Sequence, residues 1–72
     1  MRITYDRQAN AAYIHLVEPL WPSGHTTTAD SPPGVDAFIA LDWQDNQLVG
    51  IEILDADIIL PQALLNQADN LE

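Results

Sequence analysis

The chain contains no cysteine and no lysine, and Arg2 and Arg7 are its only strong bases. Without cysteine it has no disulfide, no thiolate metal site and no cysteine nucleophile. Two cations against eleven carboxylates leave a formal net charge of −9. Nucleic-acid affinity comes from Lys and Arg that displace counterions from phosphates, and anionic lipid is attracted by the same residues. Neither nucleic acid nor a membrane surface is therefore an expected partner. No apolar run approaches the roughly 20 residues that cross a bilayer. The opening MRITYDRQ has no apolar segment of the secretory kind, so a cytoplasmic location is expected. Three glycines without a lysine make a poor phosphate cradle, and neither G-x-x-x-x-G-K-[ST] nor G-x-G-x-x-G occurs. No serine stands in a G-x-S-x-G elbow.

What is present is 72 residues, 47% of them hydrophobic, enough for one small domain over 1–72. A chain of this length buries only about 60% of the surface it exposes when unfolded, so its core has little margin and a partner chain is plausible.

The segments are short and well punctuated. Arg2 to Tyr5 alternates polar and apolar residues, and Ala12 to Val17 is rich in residues that favour the extended state. The polar turn-formers Asp6 to Asn10 between them predict a hairpin. Residues 18–34 hold four of the five prolines and two of the three glycines, so an irregular loop is expected there. Thr26-Thr27-Thr28 inside it is open to either a loop or a short edge strand. Val35 to Trp43 is the clearest strand in the chain, and Gln44 to Gln47 is a connection of hairpin length. Leu48 to Leu54 is the antiparallel partner. Gly50 within it points to a bulge or a close backbone approach. From Pro61 the period changes to three and four, predicting a helix over 61–70. The expected architecture is α+β: an antiparallel β-meander of four to five strands within residues 2–55, followed by one C-terminal helix.

One helix cannot cover both faces of such a sheet. Ile14 and Leu16 are expected on one face with Val35, Ile39, Leu41, Ile51 and Ile53. Tyr13, His15, Val17, Phe38, Val49 and Glu52 are expected on the other, mixed face, where a partner or ligand would sit. A symmetric dimer is the expected form of self-association.

Ile3-Thr4-Tyr5-Asp6, Ala9-Asn10-Ala11-Ala12-Tyr13-Ile14 and Leu48-Val49-Gly50-Ile51-Glu52-Ile53-Leu54-Asp55-Ala56 resemble the signature segments of a small bacterial family, domain of unknown function 2283. The resemblance spans residues 3–56 and implies a small β-rich domain. It also implies a function for which some members are suspected: the antitoxin half of a two-gene system, paired with a small toxin. The family has no established catalytic residues, so none is carried over. The stretch from Trp21 to Pro33 is longer and richer in proline than the family pattern, and the helix from Pro61 to Asn70 runs past its end.

Among single residues, His15 is the first candidate for chemistry. With Glu52 as cross-strand neighbour and Tyr13 nearby it would form a general acid–base set or half a metal site. The plain reading is a partly exposed histidine with one hydrogen bond. His25 lies in the loop and reads as solvated. Asp55, Asp57 and Glu52 could hold a hard cation through oxygen, although no EF-hand pattern accompanies them, and Asp57 more simply helps the chain turn. No cofactor or metal is expected. Trp43 reads as a core or interface residue, and Trp21 either folds over the sheet as a lid or inserts into another chain. Trp21, Phe38 and Trp43 form the candidate binding set.

Two functions follow. The first is a small acidic protein-binding module, the antitoxin or regulatory half of a two-gene system, neutralising a basic partner protein. The second is a small enzyme or enzyme accessory for proton transfer, isomerisation or cyclisation, with a pocket between the sheet and the Trp21 loop.

Overall fold

A computed structural model of the chain describes residues 1–18 and 24–70. Six strands form one sheet: β1 (Arg2–Asp6), β2 (Ala11–His15), β3 (His25–Ala29), β4 (Phe38–Gln44), β5 (Gln47–Leu54) and β6 (Asp69–Asn70). Two short helices, α1 (Ala56–Ile59) and α2 (Gln62–Gln67), lie between β5 and β6. The spatial order is β3-β4-β5-β2-β1-β6.

Both expected hairpins form, each for a local reason. After β1, the Asp6 carboxylate accepts from the backbone N–H groups of Gln8 at 3.0 Å and Ala9 at 3.3 Å, closing the turn on itself. Asn10 completes that turn at φ 52°, in the left-handed region that Asn tolerates well. Between β4 and β5, Asp45 and Asn46 both have positive φ, 50° and 65°, which suits a two-residue turn matched to the twist of its strands.

The sheet is not a meander, because β2 pairs antiparallel with β5 and not with β3. The composition of the strands accounts for this order. β5 carries Val49, Ile51 and Ile53 and takes a central place between β4 and β2. The threonine-rich β3, exposed over His25 to Thr28, takes the edge beside β4. Residues 26–28, left open between loop and strand by their sequence, are thus a strand inside the proline-rich region. Val35 to Ala37, expected in the strand, instead lie before β4. Gly34 at φ 82° and the bond from the Val35 N–H to the Pro32 carbonyl, 3.1 Å, hold that segment in a turn.

The C-terminal region departs furthest from expectation. The helix over 61–70 is only Gln62–Gln67, and α1 precedes it. Ala68 turns extended at ψ 151°, and β6 then pairs in parallel with β1, Thr4 opposite Asp69 and Tyr5 opposite Asn70. A helix of six residues has no independent stability, so the chain gains more from ladder bonds at a free sheet edge than from another helical turn. Arg2 Nε donates to Asp69 across the same junction at 2.8 Å, but both side chains are well exposed and the ion pair adds little.

Because β6 is parallel to β1, the connection from β5 is a crossover, and it carries α1 and α2 over one face of β2 and β1. There Ala12, Ile53, Ala56 and Leu65 form the buried cluster, flanked by Tyr5, Ile14, Ile51, Ile59 and Leu60. Fully burying a side chain such as Leu65 or Ile53 contributes about 1.5–3 kcal/mol. Val49, 1% exposed, falls in step with Ile51 and Ile53 and not with Glu52, where the mixed face was expected to hold it. No helix described here is long and apolar enough to cross a membrane.

Candidate functional site

The two helices occupy one face, and among the described residues no helix lies over the other. Strand register arranges the open face in three rows. One row runs Asp6, Ala11, Leu54, Phe38 across β1, β2, β5 and β4. The second runs Thr4, Tyr13, Glu52, Ala40, Thr28, and the third Arg2, His15, Gly50, Asp42, Thr26.

Tyr13 is the centre of the polar rows. Its side chain crosses Gly50, and its hydroxyl donates to Asp42 at 2.6 Å. Asp42 accepts a second bond from Thr26 Oγ1 at 2.7 Å, tying β2, β4 and β3 together. A Cβ on Gly50 would collide with the Tyr13 hydroxyl and ring, so this glycine is a space requirement. It is also next to an irregularity: β4 advances one residue from Asp42 to Trp43 while β5 moves two, from Gly50 to Leu48. Both alternatives raised for Gly50 therefore hold.

His15 stands beside Tyr13, ring centroids 4.7 Å apart and tilted by 60°. Its Nε2 lies 3.3 Å from the Oγ1 of Thr4, a residue only 3% exposed. The hydrogen-bond partner of His15 is thus Thr4 and not Glu52. Glu52 is the direct neighbour of Tyr13, with His15 on the diagonal. The sequence-level set of His15, Glu52 and Tyr13 is brought onto one face, but no hydrogen bond among the three forms there.

Burial pushes the Tyr13 phenol well above the ordinary tyrosine range, and the hydrogen bond to Asp42 and the negative charges of Asp42 and Glu52 push in the same direction. A neutral phenol held in this way is a hydrogen-bond donor and a poor proton-transfer group near neutrality. The linkage has a definite sign. The folded state binds this proton more tightly than the unfolded chain, so the contribution is complete below the unfolded value of about 10 and is lost as pH rises through the folded one. The absorbance difference at 295 nm between the wild type and Tyr13→Phe is expected to develop above the ordinary tyrosine range. Denaturant melts in the same alkaline window are expected to show a shallower loss of stability in Tyr13→Phe. A Tyr13 that ionises at the ordinary value would overturn this reading.

The candidate binding set separates. Phe38 is on the open face, 43% exposed. Trp43 alternates to the helix-bearing face, where its indole N–H donates to Thr27 Oγ1 at 2.8 Å and its ring stacks on His25 with centroids 6.5 Å apart. His25, expected as a loop histidine, is the first residue of β3. Trp21, and with it the pocket expected beneath its loop, lies outside the described residues. Among those described, no pocket opens. The Asp55, Asp57 and Glu52 group does not assemble, and no three His, Asp or Glu side chains among the described residues are placed to share one ion.

Sequence reasoning missed the role of Asn10. Its Oδ1 accepts from the Tyr5 hydroxyl at 3.0 Å and from the Asp57 backbone N–H at 3.1 Å, and its Nδ2 donates to Asp57 Oδ1 at 2.6 Å. Its carbonyl accepts from the Ala56 N–H at 3.0 Å. Asp55, at φ 53°, makes no side-chain cap, so the first N–H groups of α1 are satisfied from the β1–β2 turn, 47 residues away for the Asn10–Asp57 bonds. Tyr5, Asn10 and Ala56, all within the segments that carry the family resemblance, meet at this joint.

The family model described as Protein of unknown function (DUF2283) matches residues 2–56. No curated protein and no solved structure matches the chain.

Proposed function

The chain belongs to the DUF2283 family, and we propose that it is a small acidic protein-binding module whose partner is a basic protein, as the antitoxin or regulatory half of a two-gene system would be. The observation that carries this reading is the sheet face opposite the two helices, where Asp6, Glu52 and Asp42 lie in three neighbouring rows and Glu52 is exposed, on a chain of net charge −9. A field of that sign raises the rate of encounter with a cationic surface and repels nucleic acid. It suits a partner whose own working surface is basic.

Self-association belongs to the same proposal at a different place. Among the described residues nothing pairs with the outer side of β3, whose residues His25 to Ala29 include neither a proline nor an acid. Such an edge is open to a second copy of itself.

The test is co-expression of the tagged chain with its neighbouring reading frames, followed by capture in about 0.1 M and about 1 M salt, where the screening length falls from roughly 10 Å to 3 Å. The expected result is one small basic protein near one to one, retained at the lower salt and released at the higher. Recovery of the chain alone at both salts overturns the reading. Light scattering on the eluted chain reads its self-association directly.

A further inference from the structure

We propose that the cross-strand pair Phe38–Leu54 is the point on the open face where a basic protein inserts an apolar segment bearing arginine. This rests on the acidic-module reading above and locates its contact.

Phe38 and Leu54 face each other across β4 and β5. Among the described residues most of the larger apolar side chains are at least partly buried, yet these two are 43% and 38% exposed. They lie side by side, with Ala11 next in the row and, among the described residues, no helix above them. An aromatic ring beside a leucine on a sheet surface is the kind of anchor that interface cores use.

Charge selects the occupant. Glu52 lies two residues from Leu54 on the same face, roughly 7 Å along the strand. Asp6 closes the far end of the apolar row. A neutral apolar partner would strip water from Glu52 and return nothing to it. A second copy of this chain fails for the same reason. It has no lysine and only two arginines against eleven carboxylates, so face-to-face pairing would set most carboxylates against carboxylates. The surface is therefore complementary to apolar side chains interleaved with cations. Arginine fits better than lysine, because its planar guanidinium stacks on an aromatic ring and forks onto a carboxylate.

The experiment is calorimetric titration of the full chain with a synthetic peptide alternating arginine and leucine, alongside a lysine–leucine version. Amide chemical shifts are followed in parallel. In the wild type, shifts are expected to centre on Phe38, Glu52 and Leu54. Phe38→Ser and Leu54→Ser leave the charge unchanged and are each expected to weaken binding about tenfold or more. Ile58→Ser removes an apolar side chain that is 69% exposed on α1, and is expected to change binding less than twofold. The lysine peptide is expected to bind several-fold more weakly than the arginine peptide. Thermal melts establish that each variant is folded. If Phe38→Ser and Leu54→Ser bind as tightly as the wild type, attraction is diffuse charge and this docking point is wrong, while the acidic-module reading stands. If the wild type binds neither peptide even at low salt, both fall.

Discussion

Asn10→Ala is expected to remove about 2–3 kcal/mol of stability, a large share of what a 72-residue domain possesses. Two losses combine. Alanine is strained at φ 52°, where Asn is tolerated, at a cost of about 1 kcal/mol. Three side-chain hydrogen bonds, to Tyr5 and to both the backbone and the carboxylate of Asp57, also disappear. Part-exposed bonds of this kind contribute about 0.5 kcal/mol each, at the low end of the usual range. For a domain of this size the melting temperature should fall by roughly 10–20 °C. Asn10→Gly separates the two causes, since glycine accepts the backbone angle but restores none of the side-chain bonds. It should lose less than alanine and still fall well below the wild type. Hydrogen exchange is expected to locate the loss. The amides of Ala56 and Asp57, whose acceptors are on Asn10, should lose protection ahead of those in β4. If Asn10→Ala melts within a few degrees of the wild type, the turn-to-helix joint is not what holds the crossover in place.

Gly50→Ala carries the second large effect, and it comes through another residue. Gly50 is not in the left-handed region, so its backbone would accept alanine without strain. The obstacle is Tyr13, whose hydroxyl and ring occupy the volume of the new methyl group. To make room, Tyr13 must leave Asp42, and the bond that joins β2 to β4 across β5 is lost with it. A destabilisation of about 1–3 kcal/mol is expected for overpacking at such a site. The diagnostic measurement is a double-mutant cycle. In a Tyr13→Ala background the space is vacant, and Gly50→Ala should be neutral or slightly stabilising, because alanine restricts the unfolded chain more than glycine does. The coupling should therefore match the whole single-mutant cost, on the order of 1–3 kcal/mol. Additive effects would mean that the glycine is required by something other than the tyrosine.

These two residues also show where sequence reading reaches its limit. That Gly50 marked a bulge or a close approach follows from a glycine inside a strand, but the partner in that approach is 37 positions away and only strand pairing reveals it. Asn10 reads as one more turn residue in Asp6 to Asn10, because its turn geometry is local and its bonds to α1 are not. Alternation along a strand is enough to put His15, Tyr13 and Glu52 on one face. Which of them bond to each other depends on register, and register gave Thr4 to His15 and Asp42 to Tyr13. Phe38 and Trp43 both read as binding residues in the sequence, although five positions along one strand put them on opposite faces.

The amino-acid sequence by itself determined the charge, the family, both hairpins and the strand faces that follow from a period of two. Each is fixed by composition or by residues within a few positions of one another: Asp6 closing its own turn, Asp45-Asn46 accepting positive φ, Ile51 and Ile53 alternating with Glu52. Tertiary structure alone decided that β5 lies between β4 and β2, that β3 takes the edge, and that Asp69–Asn70 form a parallel strand against β1 instead of prolonging a helix. Those outcomes compare one distant pairing with another. A strand pattern of five residues names a face to be buried but not the neighbour that buries it. The choice falls to whichever arrangement covers Ile53 and Ala12 with Ala56 and Leu65 while leaving few backbone groups unpaired.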